Sequence, residues 1–148
     1  NAISKVYYTG QLKSRGLIDS KKVNGFANRI LKEFLVKYDN SKQSVSELSG
    51  GNVQKLIVGR EFDYDPDLLI MNQPTRGIDV GSKAEIYEIM NQLVLQGVSI
   101  IMISSELPEL LNMSDRIIIM REGKITGEQN MGEATEETVM KLATKEAV

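Results

Sequence analysis

The spacing of apolar residues divides the chain into a helical part and an alternating part. From residue 20 to residue 38, apolar side chains recur every three or four positions with polar residues between them, which predicts an amphipathic helix. The run from 53 to 62 has the same spacing, whereas residues 1–19 show no clear period and predict irregular or short helical structure. Residues 1–62 are therefore expected to form a helical domain.

From residue 63 onward, short apolar runs bounded by turn residues alternate with amphipathic runs. The short runs predict strands buried on both faces, and the amphipathic runs predict helices. Strands are expected at 68–71, 98–104 and 117–120, helices at 82–96, at 108–113 and from Thr135 onward, and a hairpin from the third strand into 124–128. This alternation predicts an α/β domain at residues 63–148, with a parallel sheet and crossover helices.

Composition leaves few kinds of chemistry open. The 148 residues carry 18 basic and 20 acidic side chains, a formal net charge of -2, which gives no electrostatic basis for a nucleic-acid partner. The chain has no cysteine and no histidine, so it lacks the commonest zinc ligand and the commonest general base. Any catalysis is therefore expected to rest on carboxylates, amides or a partner chain.

A polar, glycine-bearing turn leads directly into the second predicted helix. Ser49 is a good N-cap, and Gly50 and Gly51 allow backbone amides to approach a ligand closely. The free N–H groups and the positive end of the helix dipole favour an anion at such a position. Taken alone, the same residues are also typical of an ordinary cap and turn.

Polar segments follow the predicted strands at the edge of the sheet where ligands bind in α/β folds. These segments are residues 72–79 after the first strand, 104–107 after the second and 121–123 after the third. The first two contain the amides Asn72 and Gln73 and the hydroxyl of Ser105. Ser105 is also a candidate N-cap for the short helix at 108–113, and Asp79 for the helix at 82–96.

Three of these segments together resemble the motifs of one protein family. The run LLIMNQPTRGID at 68–79 resembles the Walker B strand and following loop of ABC-transporter ATPases, LSGGNVQK at 48–55 resembles their signature sequence, and SSEL at 104–107 lies where their switch loop follows the next strand. The sequences PTRGIDVG at 74–81, SSELPEL at 104–110, SDR at 114–116 and MREG at 120–123 are similar to the second of two fused nucleotide-binding domains in monosaccharide importers. The resemblance extends from about Ser20 to Lys145.

The resemblance implies a partial P-loop NTPase fold of the ABC type. A helical, signature-bearing subdomain is followed by the sheet, but the Walker A strand and loop are lacking, because no Gly-Lys-Ser or Gly-Lys-Thr occurs. The start at Asn1, without an initiator methionine, looks like a cut. In the family the missing strand lies between the second and third predicted strands, so we expect a gap in the sheet or exposed edges that promote self-association. The isolated fragment is expected to bind ATP weakly and to be inactive.

The resemblance also assigns roles to individual positions. Asn72 stands where the family has its Mg²⁺-binding aspartate, Gln73 where it has its catalytic glutamate, and Ser105 where it has its switch histidine. A neutral amide attracts a divalent cation less than a carboxylate does and cannot accept a proton from water. This half-site is therefore expected to be degenerate. Asp79 is either a local cap or the loop residue that contacts the other site across the dimer.

The implied function is the ATP-binding component of an importer for a simple sugar. Ser49, Gly50, Gly51 and Asn52 would complete a composite site for ATP and Mg²⁺ on the first nucleotide-binding domain of the same protein. The implied partners also include membrane permease subunits and, indirectly, a periplasmic or lipoprotein sugar-binding protein, and the implied location is the cytoplasmic face of the plasma membrane. Two alternatives are an importer of nucleosides and a regulatory domain that binds ATP without hydrolysing it.

Overall fold

The computed structural model describes residues 12–14, 16–40 and 43–144 of the chain. The helices are α1 (Ser20–Glu33), α2 (Gly50–Phe62), α3 (Val80–Leu95), α4 (Leu107–Met113) and α5 (Glu136–Thr144), with a 3-10 turn at Val45–Glu47. The strands are β1 (Lys13–Ser14), β2 (Leu17–Ile18), β3 (Leu68–Asn72), β4 (Ser99–Ile103), β5 (Arg116–Arg121) and β6 (Lys124–Asn130). The described residues fall into two compact units, one with the residues up to Leu69 and Thr75–Ile101, the other with Ile70–Pro74 and the residues from Met102.

In the first unit, α2 packs against both α1 and α3. The buried apolar side chains of α1 and α3 come from one face of each helix, as the helical spacing predicts, whereas those of α2 lie on two sides because two helices pack against it. They are Phe26, Ala27, Ile30 and Leu31 of α1, Leu56 and Val58 of α2, and Ile86, Met90 and Leu93 of α3. Gly59 lets α1 and α2 approach closely, because a Cβ at this position would lie 2.6 Å from Phe34 Cδ2. Phe34 also meets Phe62 edge to face, with ring centroids 5.9 Å apart.

Helix α1 ends at Glu33, five residues before the predicted end at residue 38. The amide of Leu35 donates to Lys32 O and that of Val36 to Leu31 O, which is the hydrogen-bond pair of a Schellman motif. Leu35 has a φ of 50°, the left-handed conformation that this motif requires and that glycine usually supplies. The apolar spacing continues past the helix because Val36 still packs into the core after the chain has turned.

Replacing Leu35 by glycine is expected to stabilise the protein by about 0.5–1 kcal/mol. The left-handed conformation costs a side-chain-bearing residue about 1–2 kcal/mol, and glycine loses part of that gain through greater freedom in the unfolded chain. Little packing is lost, since Leu35 is 72% exposed. The free energy of urea-induced unfolding measures the effect. Leu35→Ala is the matched control and should stay near the parent value, because alanine keeps the strained Cβ; equal stabilisation by both variants would contradict this interpretation.

The start of the chain departs from the sequence prediction where it is described. Residues 1–11 lie outside the described residues, so the prediction of irregular or short helical structure there stays a prediction. Residues Lys13 and Ser14 pair antiparallel with Ile18 and Leu17, forming a short hairpin instead of a helical segment. A left-handed Gly16, with a φ of 82°, permits the tight turn between the two strands.

Strands β3 and β4 pair in parallel, as the sequence predicts. The amide of Ser99 donates to Asp67 O before the two strands, and that of Gln73 to Ile103 O at their ends, so both strands run the same way. Helix α3 provides the crossover; it ends at Leu95, and left-handed Gly97, with a φ of 94°, follows its C-cap Gln96. The prediction that both faces are buried was wrong: Ile70 is 62% and Ile103 50% exposed. No strand or helix among the described residues covers that apolar face.

The second unit is built on an antiparallel hairpin of β5 and β6 with an irregularity between Ile119 and Met120, which confirms the predicted hairpin. Helix α5 packs on it through Val139, and Gly127 leaves room for Leu142. Among the described strands, β5 pairs with β6 alone and not with the β3–β4 sheet. The described strands therefore form three separate two-stranded sheets.

No helix among the described residues is both long and apolar enough to cross a membrane.

Candidate functional site

The turn at residues 49–52, here called the Ser49 turn, begins helix α2. Ser49 has extended backbone angles and is the N-cap, as predicted, with its Oγ accepting from the Asn52 amide at 3.4 Å. Ser49 and Gly50 are exposed, and the first turn of α2 contains no acidic residue. The free amides and the helix dipole therefore present uncompensated positive potential to the surroundings, which suits an anion.

The side chain of Asn52 holds the hydroxyl of Ser49. The backbone amide of Lys37 donates to Asn52 Oδ1 at 2.8 Å, and since that amide is an obligate donor, it fixes which end of the side chain is oxygen. The other end, Nδ2, donates to Ser49 Oγ at 2.8 Å. Ser49 Oγ thus accepts two hydrogen bonds, which leaves its own proton for an acceptor outside the turn.

The loop at residues 75–79, here called the Asp79 loop, lies against the Ser49 turn within the first unit. Asp79 caps α3: its Oδ1 accepts from the Ser82 amide at 3.0 Å and its Oδ2 from the Ser82 hydroxyl at 2.7 Å. The side-chain hydrogen bond from Ser82 is the largest cause that lowers the pKa of Asp79, so the cap is charged at neutral pH. A Cβ on Gly51 would lie 2.4 Å from Ser82 Oγ, so only glycine allows this approach.

In the second unit, Gln73 and Ser105 lie within hydrogen-bond distance. The Ser105 hydroxyl donates to Gln73 Oε1 at 3.3 Å. Gln73 follows β3 in the left-handed conformation, with a φ of 52°, a strained state for a residue with a side chain. Asn72, the last residue of β3, is exposed. Two of the three positions that depart from the family's residues, 73 and 105, are therefore hydrogen-bonded to each other.

The alternative role of Ser105 as the cap of the short helix was wrong. The N-cap position of α4 is Glu106, which makes no side-chain capping bond. The neighbouring hydroxyl of Ser104 instead accepts from the Glu106 amide at 3.0 Å. The helix begins at Leu107, so its N-cap position is Glu106, one residue after Ser105.

The donor set at Asn72 and Gln73 does not fit a magnesium site by itself. Their oxygens are neutral amides, and no group of three or more histidine, cysteine, aspartate or glutamate side chains that could hold a metal occurs among the described residues. The Ser49 turn, by contrast, fits a phosphate, because Ser49 and Gly50 are exposed at a helix start with no acidic residue in its first turn. The geometry therefore supports an anion at the Ser49 turn, and the amide oxygens of Asn72 and Gln73 do not by themselves form a magnesium site.

No protein-family model matches the sequence. The ribose import ATP-binding protein RbsA of Bacillus subtilis (strain 168) is 48% identical over 130 residues, 88% of this chain and 26% of that protein. Its namesake in Lactococcus lactis subsp. cremoris is 50% identical over 129 residues, 87% of this chain and 26% of the relative. A putative ribose/galactose/methyl galactoside import ATP-binding protein of Rhizobium meliloti is 46% identical over 131 residues. The chain spans about a quarter of the length of the curated relatives it matches.

Solved structures share the fold at lower sequence identity. A dimeric ATP-binding cassette in a post-hydrolysis state, bound to ADP and Pi, gives a TM-score of 0.70 at 20% identity over 88% of this chain and 56% of that chain. An ATP-binding cassette of an ABC transporter in its ADP conformation gives 0.66 at 22% identity, over 98% and 57%. In sequence the chain is similar to these import ATP-binding proteins, and its fold is the α/β fold of the ATP-binding cassette, of which it covers part, as the sequence predicted.

The sequence alone did not indicate a role for one further residue of the first unit. Lys55, in the middle of α2, is only 2% exposed, and its ammonium donates to Leu35 O and to Glu85 Oε2, both at 2.8 Å. The hydrogen bond to Lys55 is the main cause that lowers the pKa of Glu85. A signal for it exists in the sequence: Gly51 and Gly59 lie four residues either side of Lys55, on the helix face where neighbouring helices approach most closely.

Proposed function

We propose that this chain is the C-terminal part of the second of two fused nucleotide-binding domains in an ATPase that powers import of a simple sugar. The names of the relatives, which are import ATP-binding proteins for ribose or for ribose and galactose, support the cargo class. The observation that carries the proposal is the Ser49 turn, an exposed helix start with a hydroxyl whose proton is free for a ligand.

In this proposal the Ser49 turn completes an ATP site on the first nucleotide-binding domain. The Ser49 hydroxyl and the amides of Gly50 and Gly51 donate to the γ-phosphate, and Asn52 orients the hydroxyl. ATP supplies the phosphoryl group, and the residues of this chain contribute positioning and stabilisation of negative charge. Asp79, fixed by its cap on α3, lies beside the turn and faces the same partner domain.

The other half of the proposal is that this domain's own site does not hydrolyse ATP. Gln73 has no carboxylate to accept a proton from water, and its side-chain oxygen already accepts the hydroxyl of Ser105. Asn72 offers a neutral amide oxygen at a position where a magnesium ion would be bound better by a negatively charged carboxylate. Hydrolysis would then be asymmetric, with one competent site made from the partner's phosphate-binding loop and the Ser49 turn.

The remaining parts of the proposal follow from this role. Residues 1–62 form the helical, signature-bearing subdomain and residues 63–148 the C-terminal part of the core. The partners are the first nucleotide-binding domain of the same protein, membrane permease subunits and, indirectly, a periplasmic or lipoprotein sugar-binding protein. The location is the cytoplasmic face of the plasma membrane, ATP and Mg²⁺ act in the intact protein, and the isolated fragment is inactive.

A second candidate function is a regulatory domain that binds ATP without hydrolysis at either site. The amides at Asn72 and Gln73 favour it, because neither side chain can accept a proton from water. Steady phosphate release by the intact ATPase that is lost when the first domain's own catalytic carboxylate is removed would eliminate this alternative.

Restoring the two carboxylates tests the asymmetric scheme. In the intact ATPase, Asn72→Asp with Gln73→Glu is expected to raise the rate of phosphate release by at most about twofold, because one site of two is already competent. Asn72→Ala with Gln73→Ala is the matched control and should leave the rate near that of the parent. A rise of tenfold or more in the restored variant would show that position 73 limits turnover, and the scheme would be wrong.

A further inference from the structure

We infer that Lys55 is a positioning residue: its buried ammonium anchors the segment that, through Asn52, aims the hydroxyl of Ser49. The inference rests on the proposed role of Ser49 as a hydrogen-bond donor to phosphate. It assigns a role to a residue that no part of that proposal uses. Lys55 lies on the buried face of α2, away from the exposed helix start, so it does not touch the phosphate itself.

The burial of Lys55 needs a reason, because a charged ammonium loses several kcal/mol of hydration when it leaves water. Two partners compensate for this loss. Leu35 O accepts one hydrogen bond from Nζ, and Glu85 Oε2, on α3, accepts another, each at 2.8 Å. The ammonium thus joins three segments of the first unit: the end of α1, helix α2 and helix α3.

The first of these bonds reaches Ser49 through a short chain of contacts. Leu35 lies in the left-handed turn that ends α1, and the bond to its carbonyl holds that turn against α2. Two residues later, the amide of Lys37 donates to Asn52 Oδ1, and Asn52 Nδ2 donates to Ser49 Oγ. If the turn shifts, Asn52 loses the donor that fixes its orientation, and Ser49 loses the bond that keeps its proton pointing outward.

The second bond ties the Ser49 turn to the Asp79 loop. Glu85 lies on the helix that Asp79 caps, and its other oxygen is 3.4 Å from the ammonium of Lys37. Lys37 therefore contacts Asn52 through its backbone and Glu85 through its side chain. The clamp formed by Lys55, Leu35, Lys37 and Glu85 fixes α2 and α3 relative to each other, and it does so next to the place where Gly51 meets Ser82.

A double-mutant cycle in the intact ATPase tests the inference. Lys55→Met keeps the length and volume of the side chain and removes its charge, and it is expected to lower kcat for ATP hydrolysis about tenfold, since small misplacements of a donor have effects of this size. In a Ser49→Ala background, the same change should lower kcat less than twofold, because the group that it positions is gone. Lys32→Met, at an exposed position of α1, is the charge-matched control and should leave kcat unchanged.

The outcomes separate the inference from the proposed function. If Ser49→Ala alone leaves kcat unchanged, the proposed function fails. If Ser49→Ala lowers kcat and Lys55→Met lowers it tenfold again in that background, Lys55 has only a structural role and the inference fails alone. Glu85→Gln covers the case in which Lys55→Met does not fold, because the side chain of Glu85 is half-exposed. We expect this variant to lower kcat threefold and to have no such effect in the Ser49→Ala background. A loss that persists in that background overturns the inference.

Discussion

Replacing Ser49 by alanine is expected to lower the rate of ATP hydrolysis by the intact ATPase about 100-fold. Removing one preorganised donor to a developing negative charge typically has an effect of 10²–10³ on kcat. Ser49 is such a donor in the proposed site, because two hydrogen bonds from Asn52 occupy its oxygen and leave its proton for the phosphate. Steady-state phosphate release at saturating ATP measures the change.

The control for this variant removes a hydroxyl from the same segment without touching the turn. Ser46→Ala eliminates an exposed hydroxyl that contacts Ser44, and the rate should stay within about twofold of the parent. Ser49→Ala also removes an N-cap, which is worth about 1 kcal/mol, so thermal unfolding of both variants must be compared. Unchanged turnover in a folded Ser49→Ala protein would contradict the proposed composite site.

Replacing Gly51 by alanine is expected to destabilise the protein by about 1–3 kcal/mol, the usual effect of overpacking. The added Cβ would lie 2.4 Å from Ser82 Oγ and 2.5 Å from Ser82 Cβ, so helices α2 and α3 must separate. The separation also moves the Ser49 turn away from the Asp79 loop, and we expect turnover to fall at least tenfold. Differential scanning calorimetry should show a Tm lower by roughly 3–10 °C.

Substitutions at Ser82 identify the clash as the cause. In the Gly51→Ala background, Ser82→Gly removes both atoms that the new methyl group meets, and most of the lost stability should return. Ser82→Ala removes the hydroxyl and keeps the Cβ at 2.5 Å, so it should not rescue. Gly50→Ala should destabilise less, since its Cβ would lie 3.2 Å from the side-chain atom Ile78 Cγ2 and at an ordinary contact distance of 3.7 Å from Gly77 O. Equal rescue by both Ser82 variants would point to a cause other than close packing.

Local signals in the sequence predicted the elements of the fold well. The caps at Ser49 and Asp79, the stop at Gly97 and the turn before β6 each depend on a few neighbouring residues, and each was found. The parallel pairing of β3 and β4 followed from strands joined by a helix. The end of α1 was misplaced because Leu35, not glycine, adopts the left-handed conformation, and a residue type that rarely does so gives no warning.

Contacts between residues that are distant in sequence were harder to predict from the sequence. The bond between Gln73 and Ser105 joins the ends of two strands, and it replaced the cap that the local sequence favoured for Ser105. The exposed face of β3 and β4 was also misjudged, because a continuous apolar run indicates that a strand will be covered but not which part of a protein covers it.

The sequence by itself indicated the resemblance to ABC-transporter ATPases, the order of the helices and strands from α1 onward, and the motifs that carry the proposed chemistry. Only the tertiary structure showed that the side chain of Asn52 donates to the Ser49 hydroxyl and that a buried ammonium from Lys55 donates to the carbonyl of Leu35 and the carboxylate of Glu85. The physical reason is range: caps and periodic patterns act within a few residues, whereas a hydrogen bond of 2.8 Å across 20 or 30 residues exists only after the helices have packed.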